Sequence, residues 1–315
     1  MLILTSRRWF WAALTALGSI AFGSVFWVTH TYLPADQPLW GSALRALPAG
    51  LVLLLVIRRV PHGKQWGRAI VLGTVNMGAF FLLVYIAAQL LPSSIAASLG
   101  AASPLAIAFF AWIILGERTR PWLLLMAVMG IGGVLLIVGT STKEVNLMGV
   151  AAAVGLLVLM SLGAALTKLW NDGASALTWT TWQLVVGGIE LFVVAIFAEG
   201  APPELDGAGY LAVSYLTFVA TGFAYFCWFS GFEHLPAATV GVLSLLNVVA
   251  GVLIGVLIGS EPFTGIQILG TFVVVLSVIG AQRRPAAPAK VESTNATIRS
   301  SLSSPALTAG NDNQR

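Results

Sequence analysis

Residues 91–117 read LPSSIAASLGAASPLAIAFFAWIILGE, and residues 235–261, which lie 144 positions further along, read LPAATVGVLSLLNVVAGVLIGVLIGSE. Both stretches open with Leu-Pro, continue through apolar and small residues, and end on a glutamate. A helix needs roughly 20 apolar residues to cross the hydrocarbon core of a bilayer, which is about 30 Å thick. Each stretch is therefore predicted to form a transmembrane helix, and their likeness indicates an internal repeat.

The composition extends this prediction to the whole chain. Hydrophobic residues make up 58% of the 315 residues and charged residues only 9%, whereas soluble domains carry about 25% charged residues. A surface that faces water needs more charge than this, which excludes a soluble protein. We predict an all-α integral membrane protein with ten transmembrane helices, near residues 9–33, 38–58, 66–90, 93–115, 121–140, 147–170, 178–198, 209–233, 236–258 and 263–282.

The offset of 144 residues also matches single positions. Ser103 falls on Asn247, each near the middle of a predicted helix, and Glu117 falls on Glu261 at a helix end. The chain thus divides into a first repeat of five helices over residues 9–140 and a second over residues 147–282.

The odd number of helices in each repeat decides their relative orientation. A second set of five must enter the membrane from the opposite face, which makes this an inverted repeat, a recurring design of secondary transporters. Two inverted copies can exchange conformations, so that one state opens inward and the other outward. A substrate site is then expected between the copies, near the middle of the membrane.

The positive charges predict how the chain is oriented. With the ten helices placed as above, all Lys and Arg residues except Arg45 and Lys143 fall on one side of the membrane. Cytoplasmic loops are the ones rich in these residues. Both termini are therefore predicted to be cytoplasmic, in a multi-pass protein of the inner or plasma membrane. Residues 1–8 form the cytoplasmic N-terminus, and the polar residues 285–315 form a disordered tail. The net charge of +4 follows from this topology and indicates no nucleic-acid partner.

Short motifs occur in the same order as the helices. They are Phe22-Gly23-Ser24, Ala43-Leu44-Arg45, Leu91-Pro92, Gly116-Glu117-Arg118, Leu235-Pro236 and Ser260-Glu261-Pro262. In this order, within a repeat of five plus five helices, the chain resembles the EamA-type family of the drug/metabolite transporter superfamily. The second half departs from the pattern in having Ser260 where a glycine is usual. The resemblance implies ten helices, and export or exchange of small metabolites such as amino acids. It also implies a central cavity lined by the third, fourth, eighth and ninth helices.

Two charged residues lie inside predicted helices, where an ionisable side chain costs roughly 2.5–3.5 kcal/mol on insertion scales. Arg45 lies about 10 Å into the second helix, at about 1.5 Å per residue. Its side chain either binds an anion or a gate partner, or extends outward to cap helix ends. Glu190 in the seventh helix either pairs with Arg45, carries a proton, or packs two helices through a hydrogen bond. At the repeat position of Arg45 the chain has Gln183.

Uncharged polar and aromatic residues complete the set of candidate site residues. Asn76, Ser103 and Asn247 each lie about ten residues into a predicted helix, where a polar cluster could hold an amphipathic solute. The alternative is a hydrogen bond between helices or, for Ser103, a bond back to its own helix. Tyr225 and Trp27 could line the cavity or simply pack in the membrane.

The sequence lacks the motifs of several kinds of enzyme and cofactor site. The chain has no Gly-rich ATP-binding loop, no histidines paired at metal-ligand spacing and no evident nucleophile with its base. We therefore predict no catalytic residue, metal site or cofactor.

The sequence thus predicts a secondary membrane transporter, an exporter of small organic metabolites such as amino acids that works by alternating access. Its partners are a small solute and the lipid bilayer; coupling to protons and simple facilitated flow both stay open, and no oligomeric state is predicted. The alternative is a membrane accessory or binding subunit without transport, for which an inverted repeat has little use.

Overall fold

The computed structural model of the protein describes residues 2–100, 102–116, 121–139, 146–170, 172–235 and 237–282, which form helices and no strand. The α-helices are α1 (Leu2–Gly23), α2 (Val25–Tyr32), α3 (Pro38–Ile57), α4 (Gln65–Gly73), α5 (Phe80–Leu90), α6 (Ser93–Gly100), α7 (Ser103–Leu115), α8 (Pro121–Gly139), α9 (Leu147–Leu169), α10 (Ala176–Ala198), α11 (Gly207–Ser214), α12 (Ala224–His234), α13 (Ala237–Ser244), α14 (Leu246–Leu253) and α15 (Gly265–Gln282). Three wider π-helical segments interrupt them, namely π1 (Thr74–Ala79), π2 (Tyr215–Phe223) and π3 (Ile254–Ile258). The predicted tail, Glu117 and Lys143 lie outside the described residues.

Seven of the described helical runs are long and apolar enough to cross a membrane. They are Trp9–Tyr32, Pro38–Ile57, Gln65–Leu90, Ser93–Ile114, Leu147–Leu169, Ala176–Ala198 and Gly207–Gly231. Shorter apolar helices lie within the fifth, ninth and tenth predicted spans, at Val128–Ile137, Leu246–Ile258 and Gly265–Ser277. The prediction of an all-α multi-pass membrane protein is confirmed. The first helix begins at Leu2, several residues before the predicted start of the first span.

The surface of the helix bundle is apolar, as lipid requires. Leu55, Phe197 and Leu211 are 72%, 85% and 74% exposed, and many other large apolar side chains also point outward. Soluble monomers rarely expose apolar patches on this scale. Small residues and hydroxyl-bearing residues fill much of the interior, which lets helices approach closely and bond to one another.

Two of the interruptions in the helical runs recur along the chain. The π1 segment ends at Ala79 and π2 ends at Phe223, 144 residues later. Helix α6 ends at Gly100 and α13 ends at Ser244, again 144 residues later. Local π-helical turns often occur at functional sites, so these interruptions direct attention to the helices that contain them.

The packing of the helices shows the same pairing. Helix α3 packs on α10, and α8 packs on α15. Helix α1 packs on α12 and α14, while α9 packs on α5 and α7. The π segments take part as well, since α3 contacts π2 and α10 contacts π1. Each of these contacts therefore has a counterpart in which the equivalent elements of the other half meet.

Candidate functional site

A buried arginine lies where α2, α3, α5 and π2 meet. The Arg45 side chain on α3 is only 7% exposed. Its Nε atom donates a hydrogen bond of 2.7 Å to Thr221 Oγ1 of π2, and one terminal nitrogen lies 3.4 Å from the carbonyl oxygen of Ala220. The guanidinium carbon is also 4.4 Å from the centroid of the Phe81 ring, within the range of a cation–π interaction. The charge is thus stabilised by a hydroxyl group, a carbonyl group and an aromatic ring.

A small cavity adjoins this arginine, and we call it the Arg45 chamber. Arg45, Ser42, Phe81, Tyr85 and Leu216 are among the residues that line it. Its volume is about 10 Å³, enough for roughly one water molecule. The Ser42 side chain is 2% exposed, and its Oγ atom has no hydrogen-bond partner among the described residues. Two polar groups therefore line one small chamber, since Ser42 lies one turn before Arg45 on the same face of α3.

Hydrogen bonds hold the chain next to the chamber in place. Leu33, at the end of α2, lines the chamber. The Tyr85 hydroxyl donates a bond of 2.6 Å to the carbonyl oxygen of Pro34. The Gln89 side-chain amide donates to the carbonyl oxygens of Thr29 and Leu33, at 3.1 and 3.0 Å. These bonds fix residues 29–34 against α5 and keep the chamber closed on that side.

A larger cavity of about 480 Å³, the Trp27 cleft, lies between α2, α11, π2 and π3. Trp27, Tyr32, Tyr215 and Ile254 are among the residues that line it. At its wall the hydroxyl groups of Ser24 and Tyr215 lie 2.8 Å apart and share a hydrogen bond. Its volume lies in the range of small-molecule sites, about 300–1,000 Å³. Of the predicted cavity residues, Trp27 is the one that lines this cleft.

The structure places Asn76 between helices. Its side-chain nitrogen donates a bond of 2.8 Å to Gln183 Oε1 on α10 and lies 3.5 Å from Thr167 Oγ1 on α9. Gly163 of α9 packs directly against it, and a Cβ atom there would overlap Asn76 Oδ1. The amide of Asn76 is therefore bonded to neighbouring helices, and Asn76 lies within π1 and does not line the Arg45 chamber.

The remaining polar candidates make no hydrogen bond to Asn76 among the described residues. The Ser103 hydroxyl bonds back to the Gly100 carbonyl oxygen on its own helical run. Asn247 is half-buried on α14, and its side chain has no hydrogen bond to a described residue. The half-buried Tyr225 lies with its hydroxyl 4.0 Å from Met77 Sδ and its ring 5.0 Å from that of Phe22. Among the described residues no hydrogen bond joins any two of Asn76, Ser103, Tyr225 and Asn247.

The ion pair between Arg45 and Glu190 that the sequence suggested as one possibility does not form. The half-buried Glu190 accepts a hydrogen bond of 2.9 Å from Thr74 Oγ1, while Arg45 bonds to Thr221. The two charges lie on helices that pack together, but one side chain points to π1 and the other to π2. That pairing was wrong because the depth of a residue in the membrane does not determine the direction in which its side chain points.

Sequence reasoning missed three residues that contact Arg45 or line its chamber with it, namely Ser42, Phe81 and Thr221. Ser42 could have been found, because its spacing of three residues from Arg45 puts both on one helix face. Thr221 and Phe81 could not, since neither has a local signal that connects it to Arg45. Among the described residues no group of three or more His, Cys, Asp or Glu side chains could hold a metal ion.

Comparison with known proteins gives consistent findings. A model of the EamA-like transporter family matches residues 9–139 and, a second time, residues 147–281. Protein PecM of Dickeya dadantii (strain 3937) is 33% identical over 266 residues, which cover 83% of this chain and 88% of that protein. The uncharacterized inner membrane transporter YedA of Escherichia coli (strain K12) is 26% identical over 282 residues, which cover 85% of this chain and 90% of that protein.

A solved crystal structure of another protein has a similar fold. It superposes with a TM-score of 0.60 at 19% identity, and the match covers 87% of this chain and 98% of that chain. At this identity the likeness concerns the fold alone.

Proposed function

Because this chain belongs to the EamA-like transporter family and is a membrane transporter, we propose that it is a secondary transporter that exports small organic metabolites, such as amino acids, by alternating access. Its partners are a small solute and the lipid bilayer. The proposal assigns it to the inner or plasma membrane.

The match between the two halves is the observation that carries this proposal. The family model fits the chain twice, two helix interruptions recur at an offset of 144 residues, and several contacts between helices come in exchangeable pairs. These features support ten transmembrane helices in two inverted repeats, over residues 9–140 and 147–282, with both termini cytoplasmic. Alternating access uses such a pair, since each half can adopt the conformation of the other.

Two polar contacts between helices, which we call junctions, support the same mechanism. Arg45 lies seven residues after the start of α3 and contacts Thr221 in π2, while Gln183 lies seven residues after the start of α10 and contacts Asn76 in π1. Each junction is therefore about 10 Å from the start of its helix. In inverted repeats these starts lie on opposite faces, which puts one junction in the outer half and the other in the inner half. If the helices separate at one junction while the other junction stays packed, the path for the solute opens to one side of the membrane at a time.

The solute is proposed to contact candidate residues whose polar or aromatic groups are not fully engaged by their neighbours. Trp27 in its cleft, Tyr225 and Asn247 meet that description. Asn76 and Ser103 stay in the proposal as residues that shape the path, because their side chains bond to neighbouring helix groups.

Flux measurements test the transport proposal. Purified protein in liposomes is expected to release preloaded radiolabelled solute from a panel of amino acids and amphipathic metabolites, faster than empty liposomes do. Measurements with and without a pH gradient distinguish proton coupling from facilitated flow. Absence of flux for every solute would contradict transport and favour a membrane accessory or binding subunit.

A single variant tests the proton role of Glu190. Its carboxylate is half-buried and has a hydroxyl donor in Thr74, so it can bind and release a proton without losing a paired cation. If it carries the coupled proton, Glu190→Gln should abolish the effect of the pH gradient while solute exchange continues. An unchanged pH dependence in Glu190→Gln rules out this role.

A further inference from the structure

We propose that the Arg45 chamber binds the carboxylate group of a transported solute, and that the solute is an organic acid with an apolar or aromatic body. This inference rests on the proposed transport function and adds a class of substrate to it. It begins from the charge of Arg45 and from two donors that the fold leaves without acceptors.

The charge of Arg45 has no counterion among the described residues. A guanidinium group cannot lose its proton in a protein, and a cation within the membrane is normally paired or faces a polar cavity. No described carboxylate lies within ion-pair distance of Arg45. Glu190, which the sequence places at a similar depth in the membrane, accepts a hydrogen bond from Thr74 and not from Arg45. A negative charge is therefore the missing partner at this position.

The hydrogen-bond donors of Arg45 also indicate that an anionic partner is missing. A guanidinium group carries five N–H donors, and the described acceptors are Thr221 Oγ1 at 2.7 Å and the Ala220 carbonyl oxygen at 3.4 Å. The second terminal nitrogen has no described acceptor, and Arg45 lines the chamber. Ser42 Oγ, also unpartnered, lines the same chamber. A carboxylate has two oxygens that accept from a guanidinium fork and a hydroxyl together.

The other walls of the chamber indicate what the carboxylate is attached to. They are largely apolar or aromatic, with Leu33, Phe81, Val84 and Leu216 among them. A carbohydrate or a polyanion would leave its polar groups unsatisfied against these side chains. A flat or branched apolar body would instead pack on them, with Phe81 already stacked on the guanidinium group.

The chamber is narrow in this structure, so binding of a solute requires a movement. Its volume of about 10 Å³ is too small for a carboxylic acid. The bonds from Tyr85 to Pro34 and from Gln89 to Leu33 hold residues 29–34 against α5. Release of these bonds, as α2 moves from π2, would enlarge the chamber beside Arg45 without breaking its bond to Thr221.

Binding to the purified full-length protein in detergent tests the inference without requiring flux. The probes are acetate and phenylacetate, each compared with its amide, which has nearly the same shape and no charge. A ligand that binds only the folded state raises the thermal midpoint in proportion to ln(1 + [L]/Kd). We expect phenylacetate to raise the midpoint more than acetate does, and both amides to have no effect.

Variants of α3 identify the site. Loss of a charge-assisted hydrogen bond weakens binding by about ten-fold or more, so Arg45→Gln should bind phenylacetate at least that much less tightly. Arg58→Gln, which removes an exposed arginine from the other end of α3, is the matched control and should bind as the wild type does. Ser42→Ala removes a hydroxyl without a described partner, so it should fold normally and bind several-fold less tightly.

Specific results overturn the inference. These are a wild type stabilised by neither carboxylate, equal stabilisation by acid and amide, or unchanged phenylacetate affinity in Arg45→Gln. If Arg45→Gln does not fold, unchanged affinity in Ser42→Ala has the same consequence. Flux of neutral solutes together with no carboxylate binding would leave the transport proposal standing and remove only this one.

Discussion

Two glutamates show how single residues connect distant parts of the bundle. Glu261 accepts hydrogen bonds of 2.7 and 2.8 Å from the backbone N–H groups of Ser93 and Ser94, the first residues of α6. Glu199 does the same at the start of α3, accepting from Leu39 and Trp40 at 2.8 and 2.9 Å. The first N–H groups of a helix have no partner in the helix itself, and the positive end of the helix dipole favours an anion there. Each carboxylate therefore caps a helix more than a hundred residues away in sequence.

Replacement of Glu261 should lower stability. Glu261→Ala leaves two N–H groups at the start of α6 without their anionic acceptor, which costs about 1–3 kcal/mol when such groups stay buried. We expect a lower midpoint of thermal unfolding in detergent for this variant. Glu204→Ala is the control, because Glu204 is exposed and makes no hydrogen bond to a described residue. Equal midpoints for Glu261→Ala and Glu204→Ala would mean that water replaces the cap at no cost.

The polar candidates show which part of a site can be predicted from sequence. The presence of Arg45, Asn76 and Glu190 inside helices follows from hydropathy alone. Their partners do not, because Gln183 and Thr221 are more than a hundred residues from Asn76 and Arg45 and approach them only after the helices pack. Ser103 differs, since its bond to Gly100 is local and was one of the two predicted alternatives.

At the scale of elements, helix lengths were more predictable than helix interruptions. The apolar runs define seven full spans because membrane thickness sets their length. The π segments have no such signal, since Thr74–Ala79 contains no proline that would interrupt a regular α-helix. Pro104 follows the break after Gly100, but no proline follows the equivalent break after Ser244. The second break therefore depends on packing in the folded bundle.

The contact between α8 and α15 depends on one of two adjacent glycines. A Cβ atom at Gly133 would lie 2.7 Å from the carbonyl oxygen of Gly270 and 3.1 Å from the backbone nitrogen of Val274. A Cβ atom at Gly132 would meet nothing within 4 Å. The backbones of the two helices are in contact at the first position, while the second faces open space.

This pair provides a matched test of helix packing. Gly133→Ala should force α8 and α15 apart, at about 1–3 kcal/mol for overpacking, and lower the thermal midpoint. Gly132→Ala should leave the midpoint unchanged or raise it, because alanine favours a helix over glycine by up to about 1 kcal/mol. Both are measured in the same detergent. Similar midpoints for the two variants would show that the helices do not approach as closely as the structure indicates.

At the scale of the whole molecule, the inverted arrangement can be tested by labelling two equivalent loops. His62 lies between α3 and α4, and Pro202 lies between α10 and α11, which are the corresponding elements of the second half. Both residues are exposed. The chain has one cysteine, Cys227, which is buried, so a Cys227→Ala background gives a protein without reactive thiols. The single variants His62→Cys and Pro202→Cys then report one loop each.

The proposed topology predicts opposite labelling of these two variants. With cytoplasmic termini and an odd number of helices in each repeat, the loop at His62 faces the cytoplasm and the loop at Pro202 faces outward. A membrane-impermeant maleimide added to intact cells should therefore modify Pro202→Cys and spare His62→Cys until the membrane is permeabilised. Labelling of both variants from the same side would exclude inversion. The reverse pattern would keep the inversion and place the termini outside, which would also move Arg45 and its chamber to the cytoplasmic half of the membrane.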